Sequence, residues 1–385
     1  MKILKAIHHT YICAMFFTGG HIVFYSLILV SVILLAYYVY FFRRLAFYKP
    51  KIKRESQQHP VSIIVCAKDE AGNLAKNLPE LILQRYNSSL QTMIVNDNST
   101  DDSKFILQEF NRTFKALTII DLENEAKPVN GKKHPLSVGI RQASHEILLL
   151  TDADCVPASE HWVQKMQDAY EDGIDIVLGY GAYKKWPGFL NKMIRFETFH
   201  AALQYLSYAL AGQAYMGVGR NLSYKKSLFL NNNGFASITH LPGGDDDLFI
   251  NKVATKTNTA IVIDPEAHTL SEPKKTWKAW RRQKTRHFST SKYYKPKHKF
   301  LLSLYSLVHF LFYPLIIATA IMFDWRFALT ILLVKSVSQY FIFSRVMKKL
   351  NEADLVKWIF VMDIWMVFYY IFFAPMLFKK ESNSW

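Results

Sequence analysis

From Ile22 to Phe42 the chain runs without a charged side chain, and at about 20 residues for a helix across a bilayer it is long enough to span one. The stretch is longer than the apolar core of a signal peptide and no small-residue cleavage site follows it, so it reads as a retained anchor. A chain with such a segment is not expected to fold as one soluble globule. Three further apolar segments, at about 300–322, 327–345 and 358–378, have a suitable length, with Lys335 and Asp363 as interruptions. An ionised group facing lipid is costly, so both are expected to face protein or water, and the three segments to pack as a bundle.

Half of the residues are hydrophobic, yet the formal charge is +16. The apolar excess lies at the two ends, and the positive charge marks their sides. Arg43, Arg44, Lys49, Lys51, Lys53 and Arg54 follow the first span, and Lys348 and Lys349 follow the third. Basic flanks stay in the cytosol, so residues 43–299 are expected there and the turn at Asp324–Arg326 on the opposite side. Cys13, Cys66 and Cys155 offer neither a disulfide framework nor a zinc spacing, which agrees with a reducing compartment.

Between about 60 and 272 strand-like runs alternate with helix-like ones. Val61–Ala67, Thr92–Asn96, Leu117–Asp121 and Ile147–Thr151 are each followed by polar or turn residues, the pattern of a mostly parallel sheet covered by helices. Open α/β sheets bind ligands at the carboxyl ends of their strands. Those ends carry Lys68, Asp69 and Glu70; then Asp97, Asn98 and Ser99; then Asp152 and Asp154. The last pair ends the run ILLLTDAD. Two carboxylates one residue apart repel unless a cation lies between them, which makes this a candidate metal site, although a lone Asp-x-Asp is more often a solvated turn.

In chain order the sequence also reads VSIIVCAKDEAGNL, MIVNDNSTDDS, GKKHPLSVGI, EILLLTDADC, GVGRNLSYKKS, LPGGDDDLF and QKTRH. This series resembles the membrane-embedded family-2 glycosyltransferases, relatives of the cellulose, chitin and hyaluronan synthases, over about residues 60–290. The resemblance implies an α/β GT-A fold and an inverting transfer from a nucleotide-sugar donor, UDP- or GDP-linked. It implies that Ala67, Glu70 and Asp97 hold the nucleoside, with Asp97 the better candidate, and that Lys132 points at the nucleotide. Asp154 would be the direct ligand of Mg²⁺ or Mn²⁺, and Asp152 would contact ribose or order the loop. Such a cation stabilises charge on the departing diphosphate. Direct displacement also needs one general base beside the acceptor hydroxyl. Alignment on Asp247-Leu248 puts Asp245 there, with Asp246 as its rival, and Gly244 stands where relatives carry Glu. Gln283, Arg286 and His287 match Gln-x-x-Arg-Trp except at the last position. Arg286 can pair with phosphate oxygens. His287 in place of Trp weakens the case for a long polymer acceptor.

Eleven Lys or Arg residues and no acids lie between Lys274 and Lys299, interleaved with Trp277, Trp280, Phe288, Tyr293 and Tyr294. Beside a span this composition suits a helix lying on an anionic leaflet rather than nucleic acid. The segment Trp186–Gly212 is too polar to span and is expected to be helical in part and to line an acceptor cleft. The layout is then an anchor (1–45), a cytosolic GT-A domain (55–272), a basic interfacial segment (273–299) and three transmembrane helices (300–378). The expected activity is sugar transfer to a membrane lipid or growing glycan, as in cell-envelope glycan synthesis at a bacterial inner membrane. The alternatives are a processive synthase that extrudes its product and a non-catalytic sensor of nucleotide sugars.

Overall fold

The computed structural model describes residues 2–50, 58–122, 131–241, 243–288, 290–373 and 375, with side chains described outside 2–18 and 286–288. Lys51, Lys53, Arg54 and the side chain of Cys13 therefore lie outside the described residues. The sheet is built on β1 (Val61–Ala67), buried at every position, which is why that run is almost wholly apolar rather than alternating. Parallel to it lie β2 (Leu90–Asn96) and, on the other side, β4 (Ile147–Asp152), while β3 (Leu117–Asp121) pairs with β2 at one edge. The full order is β3-β2-β1-β4-β8-β6-β9, completed by β6 (Ile176–Leu178), β8 (Leu222–Lys225) and β9 (Thr259–Ile261). Only β8 departs from the parallel expectation; it runs antiparallel to both β4 and β6.

A second sheet orders β5 (Cys155–Pro157), β10 (Thr269–Ser271) and β7 (Gly181–Tyr183). Since β5 begins one residue after Asp154, this small sheet brings Cys155, Ser271 and Tyr183 beside the acidic turn.

The helix Phe189–Leu210 is not the cleft wall that its polarity suggested. Every side chain from Met193 to His200 is buried, so it offers an acceptor little surface. Its polar residues are satisfied inside the protein instead. Arg195 donates from Nε to Glu352 at 2.9 Å and from Nη1 to Asp354 at 2.8 Å, and His200 Nε2 lies 3.1 Å from Tyr305 Oη. On its other faces Phe41 stacks on Tyr208 at 4.2 Å and Phe199 meets Phe343 at 5.7 Å. One apolar core therefore runs from the sheet to the long helices.

Among the described residues three helical runs are long and apolar enough to cross a membrane: Gly19–Ala46, Pro296–Lys349 and Ala353–Phe373. The second, at 54 residues, reverses at Asp324, whose extended backbone breaks the helix and whose carboxylate accepts from Arg326 N at 2.8 Å. Lys335 and Asp363, expected to face protein or water, face protein and pair with each other. Around them His309 Nε2 stands 3.1 Å from Asp363 Oδ1 and Gln339 Nε2 donates to the same oxygen at 2.5 Å. Ile317, Ile321, Leu333, Val337, Phe368 and Ile371 are exposed, as residues facing acyl chains would be.

The basic helix Trp277–Phe288 differs from a simple surface-lying helix. Trp280 is buried against Phe373, ring centroids 5.7 Å apart, and Lys284 pairs with Glu197. Of the aromatic residues counted as interfacial, Trp277 and Tyr293 are exposed, whereas Trp280 and Tyr294 serve the protein core.

Candidate active site at the carboxyl edge of the sheet

The loops after β1 and β2 are sewn together by the polar residues of the sequence NDNSTDDS. Asp69 Oδ1 accepts from Thr100 N at 2.7 Å, Ser99 Oγ accepts from Asp69 N at 3.0 Å, and Ser103 Oγ accepts from Glu70 N at 3.0 Å. Asp101 accepts from Ala71 N and from Ser103 N, both at 3.0 Å. Asp69 and Asn98 adopt positive φ, which Asp and Asn tolerate better than other non-glycine residues. Much of this motif is thus occupied in holding two loops over one strand end. Asp97 is completely buried there, its N–H bonded to Ala67 O at 2.8 Å, and as placed it presents no surface to a nucleoside. Glu70 is only half-buried. Burial first, then Asp154 and Asp152, raise its carboxyl above the ordinary range.

Across the strand ends the acids converge. Oxygens of Asp152 and Asp154 and the Cys155 sulfur lie within 4.8 Å of one another. Cys155 is fully buried and burial pushes its thiol well up, so it remains protonated and bonds Ser271 Oγ at 3.0 Å. That leaves two hard carboxylates, the donor type that Mg²⁺ and Mn²⁺ prefer. Asp152 Oδ1 is taken by the Lys132 ammonium. Asp154 accepts only a long contact, 3.4 Å from the Cys155 sulfur, among the described residues. Burial, then the neighbouring Asp152, raise the Asp154 carboxyl above the ordinary range, with Arg220 opposing. The main-chain oxygen of Ala153, between the two acids, is held by Asn77 Nδ2 at 3.0 Å.

Arg220, which stands inside the motif GVGRNLSYKKS without being singled out there, is the residue that sequence reasoning missed. Its guanidinium lies over the Tyr183 ring at 4.3 Å and donates to Ser271 Oγ at 3.0 Å. Burial opposes its charge, and the carboxylates of Asp154 and Asp152 favour it. Gly181 allows the approach, since a Cβ there would stand 3.2 Å from Arg220 Cβ. A fixed cation beside the acid pair suits a diphosphate.

The three adjacent acids separate by role. Asp246 Oδ2 accepts from Gly219 N at 2.8 Å and Oδ1 from Asp247 N at 2.7 Å, capping the helix Asp247–Val253. Asp247 accepts from Thr290 Oγ1, from Tyr294 Oη at 2.8 Å and, through Oδ1, from Leu248 N at 2.7 Å. Asp245 accepts no hydrogen bond among the described residues and is partly exposed. Electrostatically it joins the same centre: Asp245, Asp152 and Asp97 add to burial in pushing the Cys66 thiol up to about 12, with Lys132 opposing. Lys133 braces the acid loop by donating to Gly243 O at 2.9 Å and to Leu241 O. From the far side Gln283 Nε2 donates to Tyr183 Oη at 3.3 Å. The side chains of Arg286 and His287 lie outside the described residues.

Residues 62–230 match the family model described as glycosyl transferase family 2. The chain carries a family-2 glycosyltransferase domain. A probable glycosyltransferase of Bacillus subtilis, YdaM, is 26% identical over 258 residues, which are 62% of this chain and 56% of the relative. Glycosyltransferase AglE of Haloferax volcanii is 31% identical over 31% of this chain and 38% of its own length. This chain thus spans about half or less of the curated relatives it matches. The mannosyltransferase PcManGT of Pyrobaculum calidifontis, solved in complex with GDP-Man and Mn²⁺, superposes with a TM-score of 0.57 at 18% identity, covering 90% of this chain and 99% of that one. The family-2 domain accordingly has the expected GT-A fold. Ala67, Glu70, Asp97, Lys132, Asp152, Asp154 and Asp245 gather at one edge of its sheet, while Asp246 is drawn into the scaffold.

Proposed function

We propose that this protein is an inverting, divalent-cation-dependent glycosyltransferase, embedded in a membrane, that passes a sugar from a cytosolic UDP- or GDP-sugar to a membrane lipid or growing glycan. The observation that carries the proposal is the division of labour among the acids: Asp154 beside a fixed cation at the strand end, and Asp245 unengaged beside it. Solved PcManGT holds GDP-Man and Mn²⁺, which supports a nucleotide-sugar donor and a divalent cation for this site. Asp154, with Asp152 behind it, would hold Mg²⁺ or Mn²⁺, which when bound offsets charge on the diphosphate leaving group. Arg220 and Lys132 orient the diphosphate, and Arg286 adds to them. Glu70 is better exposed than Asp97 to reach the nucleoside, with Asp97 and Ala67 forming the floor. Asp245 takes the proton from the acceptor hydroxyl as that oxygen attacks the anomeric carbon. The domain limits 1–45, 55–272, 273–299 and 300–378 belong to the same proposal, as does the cytosolic placement of residues 43–299.

Membranes carrying the protein, incubated with a panel of sugar nucleotides, identify donor and product together. Asp245→Asn is expected to keep sugar-nucleotide affinity by calorimetry and to lower the transfer rate by roughly 10² to 10⁴. Asp154→Ala and chelation are each expected to abolish turnover, and Mg²⁺ or Mn²⁺ to restore it only in the chelated wild type. Full activity in excess chelator would remove the cation from the mechanism, and a fast Asp245→Asn enzyme would move the base elsewhere. Orientation is read by labelling single cysteines, which should be accessible from outside at position 326 and protected at position 100.

A further inference from the structure

Where the first long helix leaves its apolar span, a groove of about 530 Å³ is lined by Ala36, Val39, Tyr40, Arg43, Arg44 and Phe47. Its composition changes along its length. Ala36, Val39 and Tyr40 belong to the span, and Val39 and Tyr40 are more than half exposed, whereas Arg43 and Arg44 begin the basic flank. Neither arginine is spent on a carboxylate among the described residues: Arg44 Nε donates to Tyr40 O at 2.9 Å with its guanidinium over the Tyr40 ring at 5.0 Å, and Arg43 leans toward Phe47 at 5.9 Å.

A third guanidinium arrives from another helix. Arg345, exposed near the end of Trp325–Lys349, lies over the same Phe47 ring at 4.5 Å and over Phe341 at 4.4 Å. Lys349 ties the two helix ends together by donating to Tyr48 O at 2.5 Å. Two helices thus bring guanidinium groups, fork-shaped donors, to one aromatic ring at the foot of the groove. The shape matches an acyl chain along Ala36, Val39 and Tyr40 with an anionic phosphate between Arg43 and Arg345, since guanidinium groups bind phosphate oxygens in pairs.

We propose that this groove is a binding site for one anionic phospholipid of the leaflet on the family-2 domain's side. The proposal rests on the helices lying in a membrane and not on the chemistry of the sheet edge, so it stands or falls separately from the catalytic reading. It differs from diffuse attraction to a charged surface, which would be shared by all the basic residues near the membrane.

The test is native mass spectrometry of the delipidated full-length protein titrated with phosphatidylglycerol, phosphatidylcholine or inorganic phosphate. One phosphatidylglycerol is expected to bind at least about tenfold more tightly than phosphatidylcholine, the worth of one or two basic groups at such a surface. Inorganic phosphate is not expected to displace it. Arg43→Gln/Arg44→Gln should erase the preference, and Lys275→Gln/Lys278→Gln, at the start of the basic segment, should keep it. Should the double arginine variant fail to fold, Arg345→Gln, on an exposed face, is expected to weaken the same preference. Equal affinity for the two lipids, displacement by inorganic phosphate, or loss of the preference in the lysine variant as much as in the arginine variant would each overturn the site.

Discussion

Burial and the adjacent Asp245 and Asp247 push the Asp246 carboxyl up to about 8, against the backbone N–H groups of Gly219 and Asp247, which favour its anion. In the unfolded chain it should titrate near the ordinary value of about 3.9. A folded pKa above the unfolded one means stability that is fully present below about 4 and is lost as pH rises toward 8. Asp246→Asn removes this ionisation. The wild type should therefore lose thermal stability relative to Asp246→Asn between about pH 4 and pH 8, and the difference should level off above that. A difference that does not change with pH would mean that Asp246 is charged throughout. The same tethering explains why three identical side chains in a row are not interchangeable: hydrogen bonds fix Asp246 and Asp247, whereas Asp245 accepts none among the described residues. Composition alone treats the three alike; only the partners at Gly219, Thr290 and Tyr294, far along the chain, tell them apart.

The loop that presents those acids depends on Gly244. Its φ is +97°, and a Cβ there would stand 2.6 Å from Leu248 Cδ1. Gly244→Ala should cost about 1–2 kcal/mol in backbone strain and shift the loop. Transfer should fall by roughly 10², as it does when reacting groups move by about 1 Å, with sugar-nucleotide affinity nearly kept. An unchanged rate would show that the loop adjusts freely. Elements of this kind mark what the sequence could and could not reveal. Strands β1, β2 and β4 were legible because central parallel strands are buried on both faces and read as apolar runs ending in polar turns, and the edge strand β3 was legible from the short run LTII before Asp121. The antiparallel β8 was not, since LSYK is short and its direction is set by neighbours remote in sequence. Asp152 and Asp154 were legible as acids that no apolar strand needs. Arg220 was not, because only folding lays it over Tyr183. The helix Phe189–Leu210 was misread as a cleft wall because Arg195, Glu197 and His200 resemble surface residues until their distant partners are known.

That helix is also what joins the sheet to the apolar helices, so the stability of the whole molecule is expected to hinge on its buried charge. Arg195 and Glu352 are each about 2% exposed at the side chain, with Asp354 at the rim as a second acceptor and Tyr180 Oη donating to Glu352 at 3.2 Å. Burial already raises the Glu352 carboxyl, and Arg195 is the main influence holding it down. Removing one partner of such a pair strands the other in a poorly solvated place, which typically costs 3–5 kcal/mol, whereas replacing both with apolar side chains of similar size is often neutral. Arg195→Met should therefore lower the unfolding temperature of the detergent-solubilised protein sharply. Arg195→Met/Glu352→Met should recover most of the loss, leaving the buried Tyr180 Oη without its acceptor and Asp354 without its guanidinium at an exposed edge where water can replace it. The order of the two variants is the decisive reading. If the double variant is as unstable as the single one, the joint depends on the ion pair itself; if Arg195→Met is as stable as wild type, the helix is held by its apolar contacts with Phe41 and Phe343 alone, and the charges serve some purpose other than joining the two parts.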